Sequence, residues 1–292
     1  MCDQDHYESA LRKYASPDVM TRRQFGLLGA GAGLMLMLPR AADALAVAEK
    51  DVSIPTPDGV ADAYFVYPAS GVHAAVLIWP DILGLRPAFR QMGRRLAESG
   101  YAVLVVNPFY RVERAPVVPA GAVFADEKVR SKVIPLMQSL NATTHVTDAR
   151  AFIDWLDRQP QVNHERRIGT TGYCMGGPIV MRAAAAVPGR IGAGAVFHGG
   201  NLVTDSADSP HLLVPQMEAQ FLFAIAEDDN EREPRVQYVL RDSFKKAGLH
   251  AEIEVYEGTA HGWCPPDSAV YNAAQAERAW SRLLVLLENA LA

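Results

Sequence analysis

The segment Gly172-Tyr173-Cys174-Met175-Gly176 stands between two incompatible periodicities. Before it, Arg167 to Gly172 reads as a short buried strand. After it, residues 176–187 present an Ala-rich face at helical spacing. A chain that passes from strand to helix this abruptly needs a very tight turn, and glycines on either side remove side chains that would collide with backbone. The central residue is then held in a strained conformation at the N-terminus of a helix, where the dipole and the amide hydrogens favour a thiolate. Cys174 is therefore the candidate nucleophile. The competing reading is a buried structural cysteine, the usual state of a free cysteine; the strand-turn-helix setting argues against it.

The remainder of the chain repeats the alternation. Short apolar runs at Ala61–Tyr67, Ala74–Trp79, Tyr101–Val106, Ile191–Phe197, Gln220–Ala226 and Ala251–Tyr256 read as strands. Longer amphipathic stretches at about 87–99, 126–158, 176–187, 233–247 and 268–290 read as helices, with Asn141 dividing the second of these. Strands alternating with helices predict an α/β architecture, a mostly parallel central sheet flanked by helices. No repeat or linker divides residues 47–292, so one domain is expected there. With 49% hydrophobic and 21% charged residues the chain has the composition of a globular protein. A net charge of -5 gives no basic surface for nucleic acid or anionic lipid.

The N-terminus has a different character. Thr21-Arg22-Arg23-Gln24-Phe25-Gly26-Leu27 places paired arginines before an uncharged run from Gly26 to Leu38. That run is about 13 residues long, against roughly 20 needed to span a bilayer. Ala44-Leu45-Ala46 then offers a small-x-small cleavage site, after Ala46 or after Ala44. Residues 1–46 are expected to be a twin-arginine (Tat) export signal, handled by the Tat machinery and removed to leave a periplasmic or otherwise exported chain with no stable membrane span. They hold five Lys/Arg and five Asp/Glu, so their removal leaves the net charge unchanged.

A thiolate nucleophile needs a base and an orienting acid, and strand-turn-helix sites of this kind order them nucleophile, acid, histidine. His261, in Gly258-Thr259-Ala260-His261-Gly262-Trp263, follows the last strand and is the expected base. The acid should follow the penultimate strand, in Glu227-Asp228-Asp229-Asn230: Asp229 is the choice and Asp228 the alternative, with capping of the next helix as a rival role for the run. The oxyanion requires two donors, expected at the amides of Met175 and Ile82. Cys264 lies close after His261, which leaves open a Cys174–Cys264 bridge and a thiol redox or peptidase chemistry. A non-catalytic small-molecule binding protein is the third reading. Cys174 and Cys264 are too few for a disulfide framework and lack metal-type spacing, and no metal or organic cofactor is expected.

These segments together resemble the dienelactone hydrolase (carboxymethylenebutenolidase) family of α/β-hydrolases. Gly172-Tyr173-Cys174-Met175-Gly176-Gly177 resembles its nucleophile motif, Ala226-Glu227-Asp228-Asp229 its acid motif with alanine in place of glycine, and His261-Gly262-Trp263 its histidine loop. The resemblance implies an α/β-hydrolase fold and a Cys-Asp-His triad cleaving ester or lactone bonds of small molecules. It also implies that Asp81, in Pro80-Asp81-Ile82-Leu83-Gly84, is the acid that restrains the resting thiol. Family members that cleave dienelactone recognise a carboxylate through arginines; Arg130 would correspond to one, and the stretch Cys264-Pro265-Pro266-Asp267 has no arginine for the other. His198 and Trp263, with Tyr110 and Arg111, are further candidates to line the substrate pocket.

Overall fold

The computed structural model describes residues 4–14 and 44–292. Its strands are β1 (Val47–Thr56), β2 (Gly59–Pro68), β3 (Ala75–Trp79), β4 (Ala102–Val106), β5 (Ile168–Tyr173), β6 (Ile191–Phe197), β7 (Gln220–Ala226) and β8 (Ala251–Tyr256). They form one sheet in the order β1-β2-β4-β3-β5-β6-β7-β8. β1 and β2 form an antiparallel hairpin, β2 pairs antiparallel with β4, and every later pairing is parallel. This is the expected mostly parallel sheet, with one strand, β1, that the sequence reading omitted. Its residues are half exposed and interrupted by Lys50 and Pro55, so it lacks the apolar run of a buried strand.

The helices are α1 (Gln4–Tyr14), α2 (Pro87–Glu98), α3 (Glu127–Gln138), α4 (Ala142–Leu156), α5 (Gly176–Ala186), α6 (Glu227–Arg232), α7 (Arg235–Ala247) and α8 (Ala273–Ala290). The sheet is buried on both faces because alternate residues of one strand serve opposite cores. In β3, Ala75, Leu77 and Trp79 pack with α4, α5 and α7, while Val76 and Ile78 pack with α2 and α8. Asn141 divides the long helical stretch as expected. Its side chain accepts from Thr143 N and Thr144 N, and Thr144 Oγ1 accepts in return from Asn141 N, a complete capping box.

Two departures bear on function. The acidic run after β7 does not cap the following helix; it is itself the short helix α6, and Pro234 stands at the start of α7. The sequence reading also set residues 1–46 aside, yet α1 packs on loops that follow β7 and β8. Ala10 is buried against Ala260 and Val270, Lys13 pairs with Glu231, and Tyr14 Oη donates to Glu227. The paired arginines and the apolar run that follows lie outside the described residues. Among the described residues, no helix is long and apolar enough to cross a membrane.

Candidate active site

The strand order reverses at β3: β4, the next strand in the chain, lies on one side of it, and β5 and all later strands lie on the other. Loops leaving the carboxyl ends of two such strands diverge and open a crevice. Here the loop after β3 carries Asp81 and Ile82, and the turn after β5 carries Cys174. A cavity of about 410 Å³ opens at this edge, lined among others by Asp81, Ile82, Cys174, Met175, Asp229 and His261. With His198, seven of the residues singled out from sequence thus meet in one place.

Cys174 has φ +54, a conformation that non-glycine residues rarely adopt. The flanking glycines show why the turn tolerates nothing larger. A Cβ on Gly172 would lie 2.3 Å from the carbonyl oxygen of Gly176, and one on Gly176 would lie 2.6 Å from that of Trp79. Cys174 N donates to Phe197 O of β6 at 3.1 Å, which ties the turn to the neighbouring strand. α5 begins immediately afterwards, so its N-terminal dipole is directed at the sulfur. The amides of Ile82 and Met175 make no backbone hydrogen bond among the described residues, as donors reserved for a ligand would require.

His261 and Asp229 form the second half of the site. His261 Nδ1 lies 2.8 Å from Asp229 Oδ2. Burial alone would raise the Asp229 carboxyl, but His261 and the Arg232 guanidinium outweigh it and hold the pKa below the usual value. Asp228 is not redundant: its Oδ1 accepts from the backbone N of His261 at 2.9 Å. The two adjacent carboxylates therefore divide the work, one holding the ring and the other its backbone.

The other candidates fare differently. His198 lines the cavity, fully buried at φ +40, with its ring centroid 5.1 Å from that of His261. Neither ring nitrogen has a hydrogen-bond partner among the described residues. Burial first, and then the His261 charge, drives its pKa well below the ordinary value, so the ring is neutral. Trp263 does not line the cavity; it is fully buried and stacks on Tyr256 at 4.9 Å, a floor beneath His198. Arg130 does not reach the cavity either, because its guanidinium turns back to the carbonyls of Phe124 and Ala125. Tyr110 and Arg111 are committed to Asp148, away from the site. Cys174 and Cys264 are not bridged: Cys264 is buried in the core and borders a separate small pocket.

Asp81 lines the cavity, but its observed partner is Arg86, a residue that sequence reasoning missed. Arg86 Nη1 and Nη2 donate to the two Asp81 oxygens at 2.6 and 2.9 Å, and Leu83 N donates to Oδ1 at 2.9 Å. Asp81 is thereby held in an almost buried ion pair at the cavity wall. The signal for it was a second charge, Arg86, directly after the apolar stretch Ile82-Leu83-Gly84-Leu85 that follows Asp81 in the same loop.

Comparison with known proteins agrees with this geometry. Residues 61–291 match the model of the dienelactone hydrolase family. A protein of Methylorubrum extorquens named "Putative carboxymethylenebutenolidase" is 25% identical over 289 residues, covering 95% of this chain and 96% of that one. The carboxymethylenebutenolidase of Pseudomonas putida is 25% identical over 220 residues, covering 75% of this chain and 87% of its own. Among solved structures, a dienelactone hydrolase-like promiscuous phosphotriesterase from metagenomic libraries superposes with a TM-score of 0.70 at 20% identity, covering 85% of this chain and 100% of that chain. The eight-stranded sheet is an α/β-hydrolase fold, and the chain belongs to the dienelactone hydrolase family.

Proposed function

We propose that this hydrolase cleaves esters or lactones of small molecules through a Cys174-Asp229-His261 triad. The reading is carried by one observation: the Asp229–His261 pair at 2.8 Å shares a single cavity with a cysteine forced to φ +54 at a helix N-terminus. With Nδ1 bound to Asp229, Nε2 is the basic nitrogen. It takes the Cys174 thiol proton as sulfur attacks the carbonyl carbon, and the amides of Ile82 and Met175 receive the oxyanion. The acyl C–O bond then breaks, and the leaving alkoxide takes the proton from His261. In a lactone that alkoxide remains on the acyl chain as a hydroxyl. Water, deprotonated by His261, attacks the thioester; the acid leaves and Cys174 regains its proton.

Cys174→Ala tests this directly. Turnover of p-nitrophenyl esters and simple lactones falls by at least about a thousandfold, the scale of losing a nucleophile; turnover near wild type would overturn the triad. We extend the proposal to export: residues 1–46 act as a twin-arginine signal and the enzyme works outside the cytoplasm. Replacing Arg22-Arg23 by two lysines should leave the protein in the cytoplasmic fraction, and undiminished export would exclude that route.

A further inference from the structure

We infer that the site is built for uncharged, apolar acyl groups and that Asp267 sets this preference by occupying Arg86. The inference rests on the hydrolase reading above and concerns what that site accepts.

Arg86 is the arginine on the loop that faces the nucleophile, and an arginine there would ordinarily be a carboxylate receptor. Here it is fully engaged. A guanidinium has five N–H donors in a fixed fork. Nε donates to Asp267 Oδ2 at 2.7 Å, and Nη2 to Asp267 Oδ1 at 2.9 Å. The remaining three donors go to Asp81 Oδ1, Asp81 Oδ2 and Gly84 O. The Arg86 side chain is 7% exposed, so solvent does not compete for these bonds. The charges of Asp81 and Asp267 hold the guanidinium pKa above its ordinary value against the opposing effect of burial. One cation is thus clamped between two carboxylates, with no donor left for a third.

The rest of the cavity points the same way. Its lining includes four acidic residues, Asp81, Asp229, Glu233 and Asp267, and two arginines, Arg86 and Arg232. Arg232 is bound to Asp229, the histidine's partner. A substrate carboxylate would enter a cavity with an excess of negative charge and two occupied arginines. The rest of the wall includes Phe124, Met137, Leu202, Ile225 and Val236. Such a wall rewards an aliphatic or aromatic acyl chain, because apolar burial is favourable whatever the chain's shape. Both terms select a neutral substrate.

The test compares two esters of equal chain length on the full chain, p-nitrophenyl hexanoate and mono-p-nitrophenyl adipate, which differ in a terminal carboxylate. Wild type should favour hexanoate by about 50-fold in kcat/KM, the scale of placing like charges together without compensation. Asp267→Asn should narrow that ratio at least about fivefold by raising the adipate value, since it removes one charge and loosens the clamp. The same change at Asp205, which is 94% exposed and outside the cavity lining, should leave the ratio unchanged. If Asp267→Asn fails to fold, salt decides on the wild type alone. Repulsion predicts that adipate turnover rises with ionic strength while hexanoate turnover stays flat. Equal or better turnover of adipate, or adipate turnover that falls with salt, overturns the inference and leaves the hydrolase reading standing. Loss of both activities to the Cys174→Ala background removes the hydrolase reading, and this inference with it.

Discussion

At the level of single residues, the site depends on adjacent side chains of one type doing different things. Asp228 and Asp229 are both carboxylates on the first turn of α6, yet one accepts from the His261 backbone and the other from its ring. Their substitutions should therefore separate. Asp229→Asn leaves the size unchanged but presents an amide to the imidazole, favouring the wrong tautomer. It should lower kcat by about 10²–10⁴-fold with little change in KM, as loss of a triad orienting acid does. Asp228→Asn keeps the ring partner and weakens a buried bond that anchors the loop, so stability should fall by about 1–3 kcal/mol. Paired kcat and Tm measurements on the two variants check this; equal kcat losses would mean that the two carboxylates share one role. The sequence could not divide them, because order along the chain places both after β7 and only the helical turn of α6 decides which one reaches the ring.

At the level of elements, legibility followed burial. β3, β4, β6 and β7 were evident as apolar runs because the sheet is covered on both faces, and the elbow was evident because its steric demands leave glycine as the solution at both flanks. β1 was not, since an exposed edge strand carries weak periodicity, and α1 was not, because residues 1–46 were set aside as an export signal. Arg130, Trp263 and Arg86 could not be sorted by pattern at all: which side chain faces the cavity is fixed by tertiary packing. α1 makes a prediction of its own, because it presses on the loop that carries His261. Ala10→Asp in the full chain puts a carboxylate against Ala260 and Val270, and Tm should fall by about 2–4 °C, the equivalent of roughly 1 kcal/mol in a domain of this size. A chain starting at Val47 should already show the lower Tm. Identical melting of full chain, variant and truncated chain would mean that the helix does not hold the loop in solution.

At the scale of the whole molecule, burial of histidines makes stability depend on pH. His198 is fully buried beside His261, and its pKa is driven well below 6.5 by burial and by His261. His145, on α4, is lowered to about 3 by burial and then by Arg182 and Arg111. Both folded values lie below the unfolded one, so as pH falls through about 6.5 the unfolded chain takes up protons that the folded chain refuses. The stability present above pH 6.5 is then lost, at about 1.4 kcal/mol per pH unit for each histidine. For His145 the loss continues down to its folded value, about 3. Asp229 does not act in this window: its folded pKa is depressed below 3.8, so its contribution persists until the pH drops below that value. Together the two histidines should lower Tm by about 4–8 °C between pH 6.5 and 5.5, since each removes about 1 kcal/mol over that first unit. His145→Gln removes one of them without touching the cavity, and its Tm should fall about half as steeply over that interval. Parallel curves for wild type and variant would show that His145 takes up its proton in the folded state as in the unfolded one, and that burial and the Arg182 charge do not exclude it.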